Sequence, residues 1–144
     1  MNHIVLCAAA FVLAGSAALA QQGNAGAHFL ENWDLDGDGQ VTLAEATERR
    51  DDVFSAFDAD EDGRLAGNEY DLFDQARAND MQQNGAGHGQ GYGAAGSGME
   101  RGFNDIDGDG IVSHAEFVGK TADWLAMLDG NGDGVVTTDD FGRR

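Results

Sequence analysis

The sequence predicts an all-α protein in which short helices flank four acidic loops, arranged as two tandem pairs joined by a glycine-rich linker. Three observations predict this class. Four twelve-residue segments share one pattern of acids and glycine, and we number them loop one to loop four: residues 34–45, 58–69, 105–116 and 129–140. Within each pair the loop starts lie 24 residues apart. Between loops three and four, residues 117–128 carry apolar side chains at helical spacing.

The first element is an apolar N-terminal segment with the pattern of a secretory signal peptide. An apolar run over residues 4–13 is followed by small residues and by Ala18, Leu19 and Ala20, an A-x-A-like cleavage site. The run is short for a membrane span. We therefore expect cleavage after Ala20 and export to the periplasm or the medium, with no membrane attachment afterwards. The single cysteine, Cys7, lies in this segment, so the exported chain has no disulfide or thiolate ligand.

The four loops contain the residue types that a hard divalent cation of calcium size requires. Such an ion takes about six to eight oxygen ligands, which positions 1, 3, 5 and 12 provide as carboxylates or, once, an amide. Glycine at position 6 permits a sharp turn, and position 7 offers a backbone carbonyl whatever its side chain. The predicted ligands are Asp34, Asp36, Asp38, Gln40 and Glu45 in loop one; Asp58, Asp60, Asp62, Arg64 and Glu69 in loop two; Asp105, Asp107, Asp109, Ile111 and Glu116 in loop three; and Asp129, Asn131, Asp133, Val135 and Asp140 in loop four.

This pattern resembles that of the EF-hand family over about residues 28–83 and 99–142. The resemblance implies up to four bound Ca²⁺ ions. The family joins two loops through a short β-bridge at position 8, which is here Val41, Leu65, Val112 or Val136. The close loop spacing is similar to that of bacterial EF-hand proteins and of lanmodulin-like proteins, which bind lanthanides. Lanmodulin-like loops have proline at position 2, whereas this chain has no proline, so lanthanide binding is the lesser hypothesis.

The twelve residues between the loops of one tandem predict a helix that keeps those loops apart. A helix of this length spans about 18 Å, so its two loops cannot bridge each other. Pairing would then run between tandems, and an antiparallel arrangement joins loop one to loop four and loop two to loop three. The core is expected around the apolar side chains of Phe29, Trp33, Phe54, Phe57, Phe73, Trp124, Leu125 and Leu128.

The segment after loop two changes character from helical to glycine-rich. Residues 70–83 are expected to form a helix with Leu72, Phe73 and Ala76 facing inward. Residues 84–98 contain seven glycines, which predicts a flexible linker. The expected division of the chain is a signal peptide at 1–20, the first tandem at 21–83, the linker at 84–98 and the second tandem at 99–144.

Two loops depart from the common pattern. Loop four ends in Asp140, which is one methylene shorter than glutamate and favours weaker calcium binding or Mg²⁺. Loop three lacks a good entering helix, because Arg101 and Asn104 stand where the other loops have apolar residues.

The net charge of −18 has a local cause, since fifteen of the 26 acids are predicted loop ligands. This sign excludes direct phosphate contact as a route to nucleic-acid binding. No serine–histidine pairing, zinc ligand set or phosphate loop is present, so we expect no enzyme. The expected function is calcium binding by an exported buffer or calcium-responsive protein. The alternative is a calcium-stabilised interaction module, similar to dockerins, with an unidentified protein partner.

Overall fold

The computed structural model describes residues 26–84 and 90–141 as a set of short helices. They are α1 Ala27–Trp33, α2 Leu43–Phe57, α3 Gly67–Asn84, α4 Gln90–Ser97, α5 Arg101–Asn104, α6 His114–Gly119 and α7 Thr121–Leu128. Two strands of two residues each, β1 Arg64–Leu65 and β2 Val112–Ser113, and a 3₁₀ turn over Thr138–Asp140 complete the described elements. The predicted signal peptide and the first part of the predicted linker lie outside the described residues. No helix in the described ranges is long and apolar enough to cross a membrane.

Two β-bridges join the loops across the tandems. Strand β1 of loop two pairs antiparallel with β2 of loop three, with Leu65 opposite Val112. In loops one and four, the Val41 amide donates to the Val136 carbonyl at 2.8 Å, and the reverse bond is 3.0 Å. The four side chains at position 8 are buried. The predicted pairing of one with four and two with three is therefore confirmed.

Helix α2 begins at a reciprocal cap that also belongs to loop one. The Thr42 hydroxyl accepts a hydrogen bond from the Glu45 amide at 3.3 Å, and the Glu45 carboxylate accepts from the Thr42 amide at 2.9 Å. The helix buries Ala46, Arg50 and Phe54, which share one face at a spacing of four residues. It runs unbroken between loops one and two, as the spacing predicts.

The corresponding helix between loops three and four is broken, which differs from the expected continuous helix over 117–128. Helix α6 ends at Gly119 and α7 begins at Thr121. The Phe117 carbonyl accepts hydrogen bonds from Nε of Arg50 at 3.0 Å and from Nη2 at 2.6 Å. The Thr121 hydroxyl donates to the Val118 carbonyl at 2.6 Å. These side-chain bonds, together with the low helix propensity of glycine, favour a kink at this point.

The core forms around the predicted apolar residues, with one correction on α3. Six of the eight predicted core residues are buried, and Trp33 and Phe57 are partly buried and pack against them. Phe73 is buried, but Leu72 is 55% exposed and Ala76 is also exposed, so the prediction that these two face inward is wrong. Tyr70 takes an inward position instead and is fully buried. The phase of α3 is therefore set by Tyr70 and Phe73.

The prediction of a flexible linker is wrong for its second half. Residues 90–97 form α4, which packs against α7. The indole N–H of Trp124 donates to the Ala95 carbonyl at 3.2 Å. The Trp124 ring lies so close to Gly98 that a Cβ there would overlap it. Glycine permits close packing of the backbone as well as backbone flexibility. Glycine content alone does not distinguish a packed segment from a flexible one.

Candidate metal centres

Each loop folds around the carboxylate at its first position. In loop one, Asp34 accepts hydrogen bonds from the amides of Gly37 at 2.7 Å and Gly39 at 2.8 Å. Loop three repeats this arrangement at Asp105, which accepts from Gly108 at 2.7 Å and Gly110 at 2.9 Å. The position-6 glycines have positive φ, 86° at Gly39, a conformation that side chains with a Cβ rarely adopt. The glycine turn therefore directs backbone amides at the position-1 carboxylate.

The carboxylate at position 12 closes each loop by connecting positions 2 and 9. In loop one, Glu45 Oε1 accepts from the Leu35 amide at 3.0 Å, while Oε2 accepts from the amide and hydroxyl of Thr42. In loop two, Glu69 accepts from the amides of Ala59 at 2.9 Å and Ala66 at 3.0 Å. Both oxygens of each position-12 glutamate are thus held by backbone amides of its own loop.

Three loops bring together carboxylates that can hold a metal ion. In each, one oxygen from each of positions 1, 3 and 12 lies within 4.8 Å of the others; these sets are Asp34, Asp36 and Glu45, then Asp58, Asp60 and Glu69, then Asp105, Asp107 and Glu116. The position-5 carboxylates are not members of these sets. Asp38, for example, accepts a hydrogen bond from the Gln40 amide at 2.9 Å. Ligation by position 5 and by the position-7 carbonyl stays a prediction.

Hydrogen bonds and neighbouring charges act in opposite directions on these carboxylates. In loop three, hydrogen bonds from the amide and hydroxyl of Ser113 lower the pKa of Glu116. In loop one, burial alone would raise the pKa of Glu45, but hydrogen bonds led by those of Thr42 outweigh it and lower the pKa. In loop two, desolvation raises the pKa of Asp60, and the charges of Asp62, Glu69 and Asp58 raise it further. A bound cation would relieve this repulsion.

Loop four closes in the same way despite its shorter final acid. Asp140 lies in the 3₁₀ turn and accepts from the amides of Gly130 at 3.0 Å and Thr137 at 2.7 Å. Asn131 replaces the acid at position 3, and the three-carboxylate sets found among the described residues do not include loop four. The amide of Asn131 donates to Asp133 at 3.0 Å. Loop four is therefore closed but has one acid fewer at the predicted ligand positions than each of the others, because Asn131 stands at position 3.

Loop two differs from the others at position 4. Gly37, Gly108 and Gly132 occupy this position elsewhere with φ between 75° and 77°, whereas loop two has Glu61 at φ 58°. A side chain with a Cβ is disfavoured in this left-handed region. Loop two also has Ala66 at position 9, so its glutamate lacks the hydroxyl donor that Thr42 and Ser113 provide.

A buried arginine behind loop three was missed by sequence reasoning. Arg50 is fully buried and also donates to the Gly98 carbonyl at 3.1 Å and to Oδ1 of Asn104. Its guanidinium lies 4.1 Å from the ring centre of Phe117. Burial lowers the pKa of Arg50 to about 10, so it stays protonated at neutral pH. The polar Asn104 at an otherwise apolar position was the one sequence signal of this cluster.

Two segments of the chain match the family model described as EF hand, residues 50–65 and 121–143. The first covers the end of α2 and loop two up to its position 8, and the second covers α7 and loop four. No curated protein and no solved structure matches the chain. These matches support an EF-hand calcium-binding family, and the mostly helical described residues fit an all-α fold of that type. Loops one and three lie outside the matched segments, so their assignment depends on their pattern and carboxylate sets.

Proposed function

We propose that the chain is an exported protein that binds calcium through four EF-hand loops, as a buffer or a calcium-responsive protein, without an enzymatic role. The strongest support is the repeated set of three carboxylates at positions 1, 3 and 12. In each set the final glutamate is held by the backbone of its own loop, so both oxygens are oriented before an ion arrives. Oxygen ligands of this kind suit a hard divalent cation.

The proposed mechanism couples ion binding to stability. Without an ion, the carboxylates of one loop repel each other, which destabilises the compact chain. An ion that binds only the folded chain stabilises it by mass action. The bridges β1–β2 and Val41–Val136 would transmit closure of one loop to its partner. Loop four, with Asn131 and Asp140, would be the weakest calcium site or a magnesium site.

The second candidate is a calcium-stabilised interaction module of the dockerin-like kind. It is favoured by large apolar side chains that remain exposed outside the core, with Ile106 at 61% and Leu72 at 55%. In this role the ions would hold a docking surface for a protein partner. Capture of a partner from the exported proteins only in the presence of calcium would support this candidate.

Calorimetric titration of calcium into the chelated chain tests the main proposal. We expect three or four sites, with micromolar affinity for a calcium-responsive protein and millimolar affinity for a structural module. Magnesium should bind more weakly, except at loop four. Lanthanum provides the third titration, and a preference for it beyond its greater charge would favour the lanthanide alternative. An absence of binding heat with every ion would refute the proposal.

Variants at position 12 assign the sites. Glu45→Gln, Glu69→Gln and Glu116→Gln should each remove or weaken one site, because the amide is neutral and a poorer ligand. Glu48→Gln is the matched control, since Glu48 is exposed on α2 outside the loops. Equal loss of binding in the control would show that bulk charge, and not the loops, attracts the ions.

Export has its own test, because the predicted cleavage site lies outside the described residues. Cell fractionation should recover the chain from the periplasm or the medium, and its N-terminal residue should be Gln21. Recovery of the uncut chain from the cytoplasm would contradict export while leaving the calcium titration unaffected.

A further inference from the structure

A half-enclosed apolar cavity of about 290 Å³ opens between α1, α2, α3, α4 and α7. Its walls include the rings of Trp33, Phe57, Phe73 and Trp124. None of the predicted loop ligands lines it. The cavity is therefore separate from the candidate metal centres, and ion binding does not account for it.

Basic side chains outnumber acidic ones in the lining of this cavity, unlike in the chain as a whole. The whole chain has a net charge of −18, but the cavity is lined by Arg49 and Arg77 against one acid, Asp80. Asp80 is paired with His28, whose Nε2 lies 3.1 Å from its Oδ2. The lining thus has two cations and one acid in a strongly acidic protein, and Asp52 and Asp74 lie beside the two arginines outside the lining.

The two arginines have different surroundings. Arg77 is bound at 2.7 Å to Asp74 and donates to the carbonyls of Gly96 and Met99, so it forms part of the wall. Arg49 is 4.0 Å from Asp52, and the two side chains are 38% and 61% exposed. A surface pair at this distance is weak. Arg49 is therefore the cation best placed to bind a ligand.

We propose that this cavity binds a single-chain amphiphile with a carboxylate head group, such as a fatty acid. The tail would pack against the aromatic walls, and the carboxylate would accept hydrogen bonds from the Arg49 guanidinium, whose geometry suits two-point recognition. Small-ligand sites commonly combine apolar walls with a few polar groups. The volume equals that of about ten water molecules, which suits one alkyl chain. It is too small for a peptide helix about 10 Å across.

Intrinsic fluorescence provides a direct test, because the chain has two tryptophans and both line the cavity. The calcium-loaded chain is titrated with decanoate and, separately, with 1-decanol, at concentrations below micelle formation. We expect a saturable change with decanoate, at an affinity about tenfold higher than for the neutral alcohol. Absence of a saturable change, or equal affinities for the two, would overturn the proposal. So would a change seen only with phospholipid vesicles.

Two variants distinguish the contribution of the ligand's head group to affinity from that of its tail. Arg49→Gln should lower decanoate affinity to that of decanol and leave decanol binding unchanged. Lys120→Gln is the matched control, because it removes the same charge at a residue outside the cavity. Ala76→Phe places a large side chain at the open rim of the cavity, where Ala76 is exposed, and should weaken both ligands together. Circular dichroism verifies that each variant is folded. An Arg49→Gln chain that binds decanoate as tightly as the control variant would contradict the assignment of Arg49.

Discussion

Arg50 shows how many contacts between distant segments one buried side chain can supply without a carboxylate partner among the described residues. Its guanidinium supplies hydrogen bonds to Phe117, Gly98 and Asn104, which lie on three different segments. The sequence separation to Phe117 is 67 residues. A pattern of local spacing cannot predict such a contact, whereas the loop ligands are predictable because all of them lie within twelve residues.

We predict that Arg50→Met lowers the free energy of unfolding by about 3 kcal/mol or more. The substitution leaves buried carbonyl and amide oxygens without donors, and each unmet group costs about 1–3 kcal/mol. Urea unfolding in calcium measures the effect. Arg49→Met is the control on the neighbouring residue, where loss of a surface pair should cost less than about 1 kcal/mol. Similar losses in the two variants would contradict a special role for Arg50.

The positive φ at Glu61 leads to a second prediction at the residue scale, which concerns the stability of loop two. A positive φ is unfavourable for a residue with a Cβ, so Glu61→Gly should stabilise the calcium-loaded chain by up to about 1 kcal/mol. The reciprocal change, Gly37→Ala at the same position of loop one, should destabilise it by about 1 kcal/mol. Open space around Gly37 leaves backbone conformation as the cause. Urea unfolding measures the free energy of unfolding of both variants. Changes of the same sign in the two variants would refute this explanation.

The carboxylate pKa values predict the order in which loops lose calcium on acidification. Asp60 has a raised pKa, so a proton competes with the ion there at a higher pH than at Glu116, whose pKa is lowered. As pH falls toward the ordinary carboxylate range near about pH 4, loop two should release calcium before loop three. The amide resonances of Gly63 and Gly110 report the two loops separately. Release from loop three first would contradict this order.

At the scale of elements, α4 shows why glycine content did not predict a helix, whereas the residue pattern of the loops predicted their carboxylate sets. The seven glycines of residues 84–98 resemble those of a flexible linker, but the last of them, Gly98, directly follows α4 and lies against the Trp124 ring. The carbonyls of Gly96 and Gly98 accept hydrogen bonds from Arg77 and Arg50, which belong to other helices. The packing of α4 therefore depends on tertiary partners that the local sequence does not reveal.

We predict that Gly98→Ala lowers the free energy of unfolding by about 1–3 kcal/mol, because the added Cβ would overlap the Trp124 ring. Thermal unfolding followed by tryptophan fluorescence measures this loss. Gly102→Ala in α5 is the matched control, since no atom lies near its added Cβ. That variant should be unchanged or more stable by up to about 1 kcal/mol. Equal behaviour of the two variants would argue against close packing at Gly98.

At the scale of the whole molecule, helix length predicts that loops pair between tandems, and the pairing of one with four and two with three follows when the tandems lie antiparallel. The unbroken α2 holds loops one and two apart, and their partners are then found in the other tandem. The kink between α6 and α7 could not be predicted, since it depends on Arg50 and the Phe117 carbonyl. The kink leaves the pairing intact, since both bridges between the tandems are formed.

Crosswise pairing predicts which loops influence each other. Glu116→Gln weakens loop three, and we expect the calcium affinity of loop two to fall by roughly fivefold through β1 and β2. Loop four, although next to loop three in sequence, should change less. Titrations followed at the Gly63 and Gly134 amides measure the two responses. A larger change at loop four would show that coupling follows the tandem and not the bridge.

The two tandems are held together by contacts other than their covalent connection. The bridges, Arg50 and the 4.5 Å approach of the Trp33 and Trp124 rings all cross from one tandem to the other. Each half alone would expose these surfaces, and the half with α2 would also carry an arginine without its acceptors. A chain divided within residues 85–89 would therefore behave as a pair of complementing fragments. Calcium would then control their reassembly, which is the requirement for a split reporter of ion concentration.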